Sequence, residues 1–192
     1  ALGANVLELR AGTVGNISDI FVQSTTSAGG DIVFPTDATA FDGSVTADTS
    51  ALTGQVNGDA LDGVESEDGN VVLLLQHGNV TLDSDSLVYA GREGTNENFL
   101  VVDLDSNDAL LTVNSGAAVE AEFGDVHLRA DQMDLDTTGG PTVSVTSPHS
   151  VFLGPRDNNT VEIGQGAADD ANTLGLTEDE LETVRVPSPG TT

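Results

Sequence analysis

Apolar and polar residues alternate along the middle of the chain, from about residue 70 to residue 164. A period of two is the spacing at which a β-strand sends its side chains to one face. Gly, Asn, Asp, Ser and Pro separate the alternating runs, and successive run centres lie about nine residues apart, which predicts an all-β fold of short strands. The apolar positions of the runs are Leu73 and Leu75; Val80 and Leu82; Leu87 and Tyr89; Leu100, Val102 and Leu104; Ala109, Leu111 and Val113; Val119, Ala121 and Phe123; Val126 and Leu128; Met133 and Leu135; Val143 and Val145; Val151 and Leu153; and Val161 and Ile163.

These apolar side chains are small for a thick core. Aromatic residues make up 4% of the chain, and Trp is absent. Thin layers of Val, Leu, Ala and Thr favour a β-solenoid, a β-prism or an intertwined trimeric fibre, in which each layer points one or two side chains at an axis. A single chain of such layers is expected to leave one apolar face uncovered, which three copies around an axis would cover. A jelly-roll or Greek-key sandwich is the alternative.

Three regions follow from the pattern. Residues 1–69 hold N-terminal strands around Val6–Leu9, Ile17–Val22 and Asp31–Pro35, and then an irregular stretch, Asp37 to Asp68, that suits an assembly arm. Residues 70–166 form the β-repeat region. Residues 167–192 form a C-terminal turn, a short helix and a tail.

The C-terminal region carries one helix signal. Thr177 and Glu180 have the spacing of a capping box, and acidic residues fill the first turn, where they oppose the positive end of the helix dipole. The pattern predicts one or two turns through Leu181 and Val184, ended by Pro187.

Charge changes the interpretation of this β-rich chain. Lysine is absent, and five arginines stand against 32 Asp and Glu, so the formal net charge is -27. Such a surface repels itself in dilute buffer, whereas the Debye length falls to about 3 Å in molar salt. The composition therefore predicts a protein adapted to concentrated salt. Its acidity argues against nucleic-acid binding, which depends on Lys and Arg at phosphates.

Other classes are excluded by what the chain lacks. There is no Cys, so disulfides, thiolate metal sites and a cysteine nucleophile are excluded. No apolar run approaches the roughly 20 residues of a membrane-spanning helix, so we expect no membrane span.

One segment resembles a known class of protein. Val161–Ala167, Ala171–Glu178 and Leu181 resemble an element of phage tail-fibre and other virion structural proteins, in which a strand ending in Ile-Gly leads through a small-residue turn to Leu-Gly-Leu-Thr. Residues 70–164 are similar in texture to the β-repeats of tail spikes and fibres. Together with the missing lysines, the resemblance implies a structural protein of a virus that infects halophilic archaea.

Candidate catalytic chemistry is sparse. The histidines His77, His127 and His149 have no Cys and no second His at HxH or HxxxH spacing, which indicates solvated side chains and no zinc site. Acid pairs such as Asp134 with Asp136 or Glu120 with Glu122 share a strand face, but among 32 acids such pairs indicate a solvated acidic surface. We therefore predict no catalytic residues and no enzyme.

Binding of a hard cation fits these residue types better than zinc binding or catalysis does. Asp103, Asp105, Asn107 and Asp108 present oxygen atoms where a strand ends, the ligands that Ca²⁺ or Na⁺ prefers. Asp83 and Asp85 offer a second, smaller set. Ordinary turns that use Asp and Asn side chains are the alternative, and no other cofactor is predicted.

The function predicted from these observations is that of a non-enzymatic virion subunit, a homo-oligomeric fibre, spike or tail-tip component that forms a trimer. Its partners would be copies of itself, other virion proteins and a host surface receptor, and it would be assembled in the host cytoplasm. A capsid or decoration protein is the first alternative. A cellular surface filament or adhesin, located at the cell surface, is the second.

Overall fold

The computed structural model describes residues 9–11, 19–24, 32–34, 63–66, 69–75, 78–82, 84, 86–91, 98–105, 108–135, 137, 144–156, 160–170 and 172–187. Strands dominate these ranges, and the prediction of an all-β chain with one short helix is confirmed. The elements in chain order are β1 (Leu9–Ala11), β2 (Ile20–Ser24), β3 (Ile32–Phe34), β4 (Gly63–Ser66), β5 (Val71–Leu75), β6 (Val80–Leu82), β7 (Leu87–Ala90), β8 (Leu100–Leu104), β9 (Leu110–Val113), β10 (Ala118–Ala121), β11 (Val126–Arg129), β12 (Gln132–Leu135), β13 (Val145–Thr146), β14 (Val151–Gly154), β15 (Thr160–Ile163), β16 (Thr173–Leu176), α1 (Glu178–Glu182) and β17 (Val184–Arg185).

Each of the first eleven strands pairs with the strand three positions further along the chain. Sheet 1 has the order β1-β4-β7-β10-β13-β17, sheet 2 the order β14-β11-β8-β5-β2, and sheet 3 the order β12-β9-β6-β3. Three consecutive strands, such as β7, β8 and β9, therefore form a triplet that adds one strand to each sheet. The strands of these sheets all pair in parallel. The jelly-roll or Greek-key alternative is wrong, because those sandwiches are built from antiparallel strands.

The register of the parallel strands places similar residues next to one another. In sheet 1, Val64 pairs with Val88, Val88 with Val119 and Val119 with Val145. These four valines are at most 1% exposed. Because parallel strands lie about 4.8 Å apart, each inward column is a close-packed stack of β-branched side chains, which suits the pleated surface.

Inward columns from all three sheets meet in one hydrophobic cluster. Its fully buried members include Leu100 and Leu128 of sheet 2 and Leu111 of sheet 3. The expectation that one chain leaves these alternating apolar positions uncovered is wrong, because three sheets face one another within a single chain. Small side chains are sufficient to fill this core, because the three strands of each triplet together enclose the inward residues of their layer.

The predicted alternation identifies most of the inward positions but is wrong in β7. Leu87 and Tyr89 are only partly buried, whereas Val88 and Ala90 are fully buried. All four residues of this strand are apolar or aromatic, so the period does not reveal which face turns inward. Pairing of Val88 with the buried valines of the neighbouring strands fixes the face.

The predicted inward pair at the end of the repeat is also wrong. Val161 is 42% exposed and Ile163 is 68% exposed. Their strand, β15, pairs in parallel with β16 alone and forms a two-stranded ribbon. The alternation correctly indicates a strand here, but the strand lies outside the three sheets and contributes no core column.

Strands near the N-terminus belong to the same sheets as the repeat. Strands β1, β2 and β3 pair in parallel with β4, β5 and β6. Of the predicted arm, Asp37 to Asp68, the structure describes only Gly63–Ser66, which forms β4. The rest of that stretch lies outside the described residues, as does Val143.

Linking segments differ in length from triplet to triplet. Ten positions separate Ala90, which ends β7, from Leu100, which begins β8, whereas β10 ends at Ala121 and β11 begins at Val126. Both triplets nevertheless keep the parallel register. Strand stacking is therefore independent of the length of the segments between strands.

The capping box is confirmed. Thr177 is the N-cap of α1, its side chain accepts from the Glu180 amide at 3.2 Å, and the Glu180 carboxylate accepts from the Thr177 amide at 2.8 Å. The helix ends at Glu182, earlier than the predicted Val184. Val184 instead pairs with Val145 and continues the valine column of sheet 1 as β17, so tertiary pairing ends the helix before Pro187 is reached.

Candidate functional site

The predicted cation ligands lie at the end of β8. Asp103 is in the strand and on the outer face of sheet 2, Asp105 follows it, and Asp108 has a left-handed backbone with φ of 59°. The Asp108 amide donates to the Asp131 carboxylate at 3.1 Å. Asn107 lies outside the described residues, as do Asp83 and Asp85. In the described part of the chain, no group of three or more His, Asp or Glu is arranged to hold a metal ion.

Arginines contact two of these carboxylates. The Arg129 guanidinium lies 3.0 Å from Asp103 Oδ2, and Arg129 pairs with Asp103 across β11 and β8. Arg156 Nε contacts Asp105 Oδ1. The second oxygen of Asp103, Oδ1, is buried without a hydrogen-bond partner. The guanidinium groups of Arg129 and Arg156 therefore provide the counter-charge for these two aspartates. An ordered cation at this place stays a prediction.

The remaining sequence candidates do not converge. His127 lies in β11 on the outer face of sheet 2, and the His149 amide donates to Ser147 Oγ at 3.2 Å. Glu122 accepts a hydrogen bond from the Tyr89 hydroxyl at 2.8 Å. His77 and Asp136 lie outside the described residues, so the Asp134 and Asp136 pair is described only at Asp134.

An acidic groove lies where the C-terminal ribbon approaches β12. Its volume is about 460 Å³. It is open to solvent on one side, and three carboxylates contribute to it. The lining residues are Leu110, Gln132, Met133, Asp134, Leu135, Thr137, Ala167, Ala168, Asp169, Gly175, Thr177 and Glu180.

Asp169 joins the ribbon to β12 through both carboxylate oxygens. Oδ2 accepts from the Met133 amide at 3.0 Å, and Oδ1 accepts from the Gly175 amide at 2.7 Å. Burial raises the pKa of Asp169 above its ordinary value of 3.8, and the nearby Glu180 and Asp134 carboxylates raise it further. The hydrogen bonds from the Gly175 and Met133 amides lower this pKa and offset part of the rise.

Glu180 makes the second connection to the same strand. Its Oε1 accepts from the Leu135 amide at 3.3 Å, while Oε2 accepts from the amide and the hydroxyl of Thr177 at 2.8 Å each. The capping-box glutamate therefore both caps α1 and fixes α1 against sheet 3. We name Asp169 and Glu180 together the C-terminal latch.

The latch covers an open sheet edge. β12 is the last strand of sheet 3, and the Gln132 amide donates to Ala109 on the β9 side at 3.1 Å. In a parallel strand, alternate amides point to opposite neighbours, so the amides of Met133 and Leu135 point away from β9. These are the two amides that the latch carboxylates accept. Carboxylates thus occupy donors at which a further strand could add.

An apolar stripe crosses the outer face of sheet 2. Five in-register residues, one from each strand, form it: Phe21, Val72, Val101, His127 and Phe152. Phe21 is 58% exposed and Phe152 is 52% exposed. The rings of His127 and Phe152 are in contact, with centroids 4.4 Å apart. Phe99, also exposed, lies just before β8 beside the stripe.

The column next to the stripe holds little net charge. Its described members, two residues further along each strand, are Leu74, Asp103, Arg129 and Gly154. The only carboxylate in the two columns is that of Asp103, which is paired with Arg129. Asp19 and Asp125 border the stripe at the strand starts. In a chain of net charge -27, the five residues of the stripe include no carboxylate.

Sequence reasoning did not identify the latch or the stripe. The latch depends on an approach between residues 133 and 169, which local spacing does not encode. The stripe depends on register, which stacks outward residues from strands far apart in the chain. One signal was available: three of the six phenylalanines, Phe21, Phe99 and Phe152, occupy outward positions in or next to strands of this one sheet.

Comparisons with protein-family models, with curated proteins and with solved structures give no match. Among the described residues, no helix is long and apolar enough to cross a membrane.

Proposed function

We propose that this chain is a structural subunit of a virion from a virus of halophilic archaea, a β-solenoid rod that assembles with copies of itself into a trimeric fibre, spike or tail-tip component. Its work would be mechanical and would involve no catalysis. Copies of the chain and other virion proteins would be its partners, and a host surface receptor would be the ligand of the assembled fibre.

The observation that carries the proposal is the register of the three sheets. Every triplet from β4 to β12 places one strand on each sheet in parallel pairing, and the inward columns form one core. Parallel stacking of this kind propagates along one direction, so a chain built this way is a rod whose length grows with the number of triplets. A rod that buries its own core is suited to bearing load in a fibre.

Composition supports the setting. A chain with 32 acidic residues and five arginines stays hydrated in concentrated salt, where repulsion between carboxylates is screened within about 3 Å. The resemblance of the Val161–Ala167 segment and the following Leu-Gly-Leu-Thr step to virion elements supports the assignment to a particle. In the fold, this segment forms β15, a glycine-containing turn and β16.

The test is the mass and shape of the purified chain in molar KCl. Light scattering coupled to size-exclusion chromatography is expected to give three times the 19.6 kDa chain mass, and negative-stain images are expected to show rods. A stable monomer would contradict the fibre. A flat hexameric assembly would contradict it in favour of the capsid alternative.

The virion assignment needs a separate measurement. Mass spectrometry of particles purified from a producing culture is expected to find the chain as a stoichiometric component. If the chain remains with the cell envelope and is missing from the particles, the surface-filament alternative replaces this one.

A further inference from the structure

The core of this chain is closed within a single copy, so the residues that would bring copies together must lie on an outer face. The outer faces differ. Sheet 1 turns Glu65 and Glu120 outward, with Arg185 in the same in-register column, and sheet 3 turns Asp134 outward next to the latch carboxylates. Sheet 2 turns the apolar stripe outward, and Asp103, in the column beside the stripe, is paired with Arg129.

We infer that the apolar stripe of sheet 2 is the surface on which copies of this chain join, each copy turning its stripe toward a common axis parallel to the sheet stack. This inference rests on the proposed function and adds to it the face that makes the assembly. The occupant of the stripe is the stripe of another copy.

Charge is the first argument for that occupant. Two copies of net charge -27 repel each other on most approaches, and even in molar salt carboxylates brought into direct contact lose hydration. The stripe itself carries no carboxylate, and in the column beside it Arg129 compensates Asp103 at 3.0 Å. An equally acidic copy can therefore approach the stripe closely, and three exposed phenylalanines in or next to these strands, Phe21, Phe99 and Phe152, provide apolar contact area.

Spacing is the second argument. Residues of the stripe repeat at the distance between parallel strands, about 4.8 Å, so five strands present a column about 19 Å long. A neighbouring copy has the same repeat, so its side chains can interdigitate with the stripe over the whole column. A partner without this periodicity would match the stripe at one or two positions only.

The latch disfavours the other way in which copies could join, which is the addition of a strand to the edge of sheet 3. Strand addition at the C-terminal end of this sheet would need the amides of Met133 and Leu135, and the carboxylates of Asp169 and Glu180 accept both. Association along the stripe leaves these hydrogen bonds in place.

Substitution of the stripe tests the inference. The double variant Val101→Thr/Phe152→Thr keeps β-propensity and removes apolar contact area, so association is expected to weaken about a hundredfold, measured as the midpoint concentration for dissociation in molar KCl. Leu87→Thr, at a partly buried outward position of sheet 1, is the matched control and should leave the midpoint unchanged. Circular dichroism in the same buffer checks that each variant is folded.

Cross-linking provides a measurement that does not depend on stability. The chain has no cysteine, so Val101→Cys introduces one thiol on the stripe and Thr112→Cys one on the outer face of sheet 3. Oxidation in molar KCl is expected to give covalent dimers of the Val101→Cys chain and few of the Thr112→Cys chain. Dimers formed mainly through Thr112→Cys would overturn the inference.

The two proposals fail differently. A wild-type chain that stays monomeric at all concentrations in molar KCl overturns both the homo-oligomer and its proposed face. A wild-type trimer whose midpoint is unchanged in Val101→Thr/Phe152→Thr overturns only the face and leaves the proposed function standing.

Discussion

Asp169 accepts a hydrogen bond from the Met133 amide at 3.0 Å and so joins the C-terminal ribbon to the last strand of sheet 3. The donor is an edge amide that pairs with no strand among the described residues, and the acceptor comes from a turn 36 residues further along the chain. Because Glu180 accepts from the next edge amide, at Leu135, carboxylates instead of a paired strand satisfy the donors of this edge.

Replacing Asp169 tests the latch. Asp169→Asn keeps one acceptor oxygen but turns an amide donor toward one of the two backbone donors, so we expect the free energy of unfolding to fall by about 1–3 kcal/mol. Urea unfolding followed by circular dichroism in molar KCl measures the change. Asp170→Asn, next to it in sequence and exposed, is the control and should lose less.

The latch also has a predicted pH dependence. The pKa of Asp169 is raised in the fold, so the folded state binds its proton more tightly than the unfolded chain does. As pH falls through the raised pKa toward 3.8, the wild type gains stability from this group, and Asp169→Asn does not. The stability gap between the two proteins should therefore widen between pH 7 and pH 4. A gap that narrows over this range would refute the assigned cause.

The core columns are tested by two adjacent leucines of β9. Leu111 is fully buried and Leu110 faces outward, partly exposed. Leu111→Ala should lower the free energy of unfolding by about 2–5 kcal/mol, because it removes buried methyl groups and leaves a cavity in a stacked column. Leu110→Ala should lose clearly less in the same urea titration. Equal losses would mean that the strand is turned the other way.

Gly175 permits the ribbon to approach its own turn. A Cβ at this position would lie 2.4 Å from the backbone carbon of Ala168, and Gly175 also donates to Asp169. Gly175→Ala is expected to cost about 1–3 kcal/mol by pushing the turn and its latch carboxylate away from β12. Gly154→Ala is the control, because nothing lies within 4 Å of a Cβ there. A lower melting temperature only in Gly175→Ala is the expected result.

The Asp103 and Arg129 pair is suited to a double-mutant cycle. Arg129→Gln leaves a carboxylate with one buried oxygen unpartnered and no counter-charge, so a loss of about 1 kcal/mol or more is expected. Adding Asp103→Asn should recover part of that loss. If calcium restores the Arg129→Gln protein to wild-type stability, these aspartates can act as the cation ligands predicted from the sequence.

Salt dependence follows from the surface charge. Lowering NaCl from molar to about 0.1 M extends the Debye length to about 10 Å, so repulsion among carboxylates returns. We expect loss of folding or of assembly, seen as a change in circular dichroism or in oligomer mass. An unchanged spectrum and mass over this range would remove the argument for adaptation to brine.

Local pattern was sufficient to predict the strands and the helix start. Alternation identified inward residues such as Leu111 and Val119, and the spacing of Thr177 and Glu180 identified the capping box. Both features depend on residues a few positions apart. They were predictable because strand period and helix capping are set by the backbone close to each residue.

The pairing between strands could not be predicted from the local pattern of residues. Val88 stacks on Val64 and Val119, which lie in other triplets, and nothing near Leu87 or Tyr89 tells which face of that strand turns inward. The stripe and the latch are properties of such distant pairings. A period of two shows that a strand has two faces, but only its neighbours decide which face is buried.

The independence of strand register from linker length has an evolutionary consequence. New residues can be inserted between strands, as the nine residues between Ala90 and Leu100 indicate, while the sheets keep their valine and leucine stacks. A lineage could therefore vary these segments without redesigning the stacked core, and a protein engineer could display foreign epitopes there in the same way.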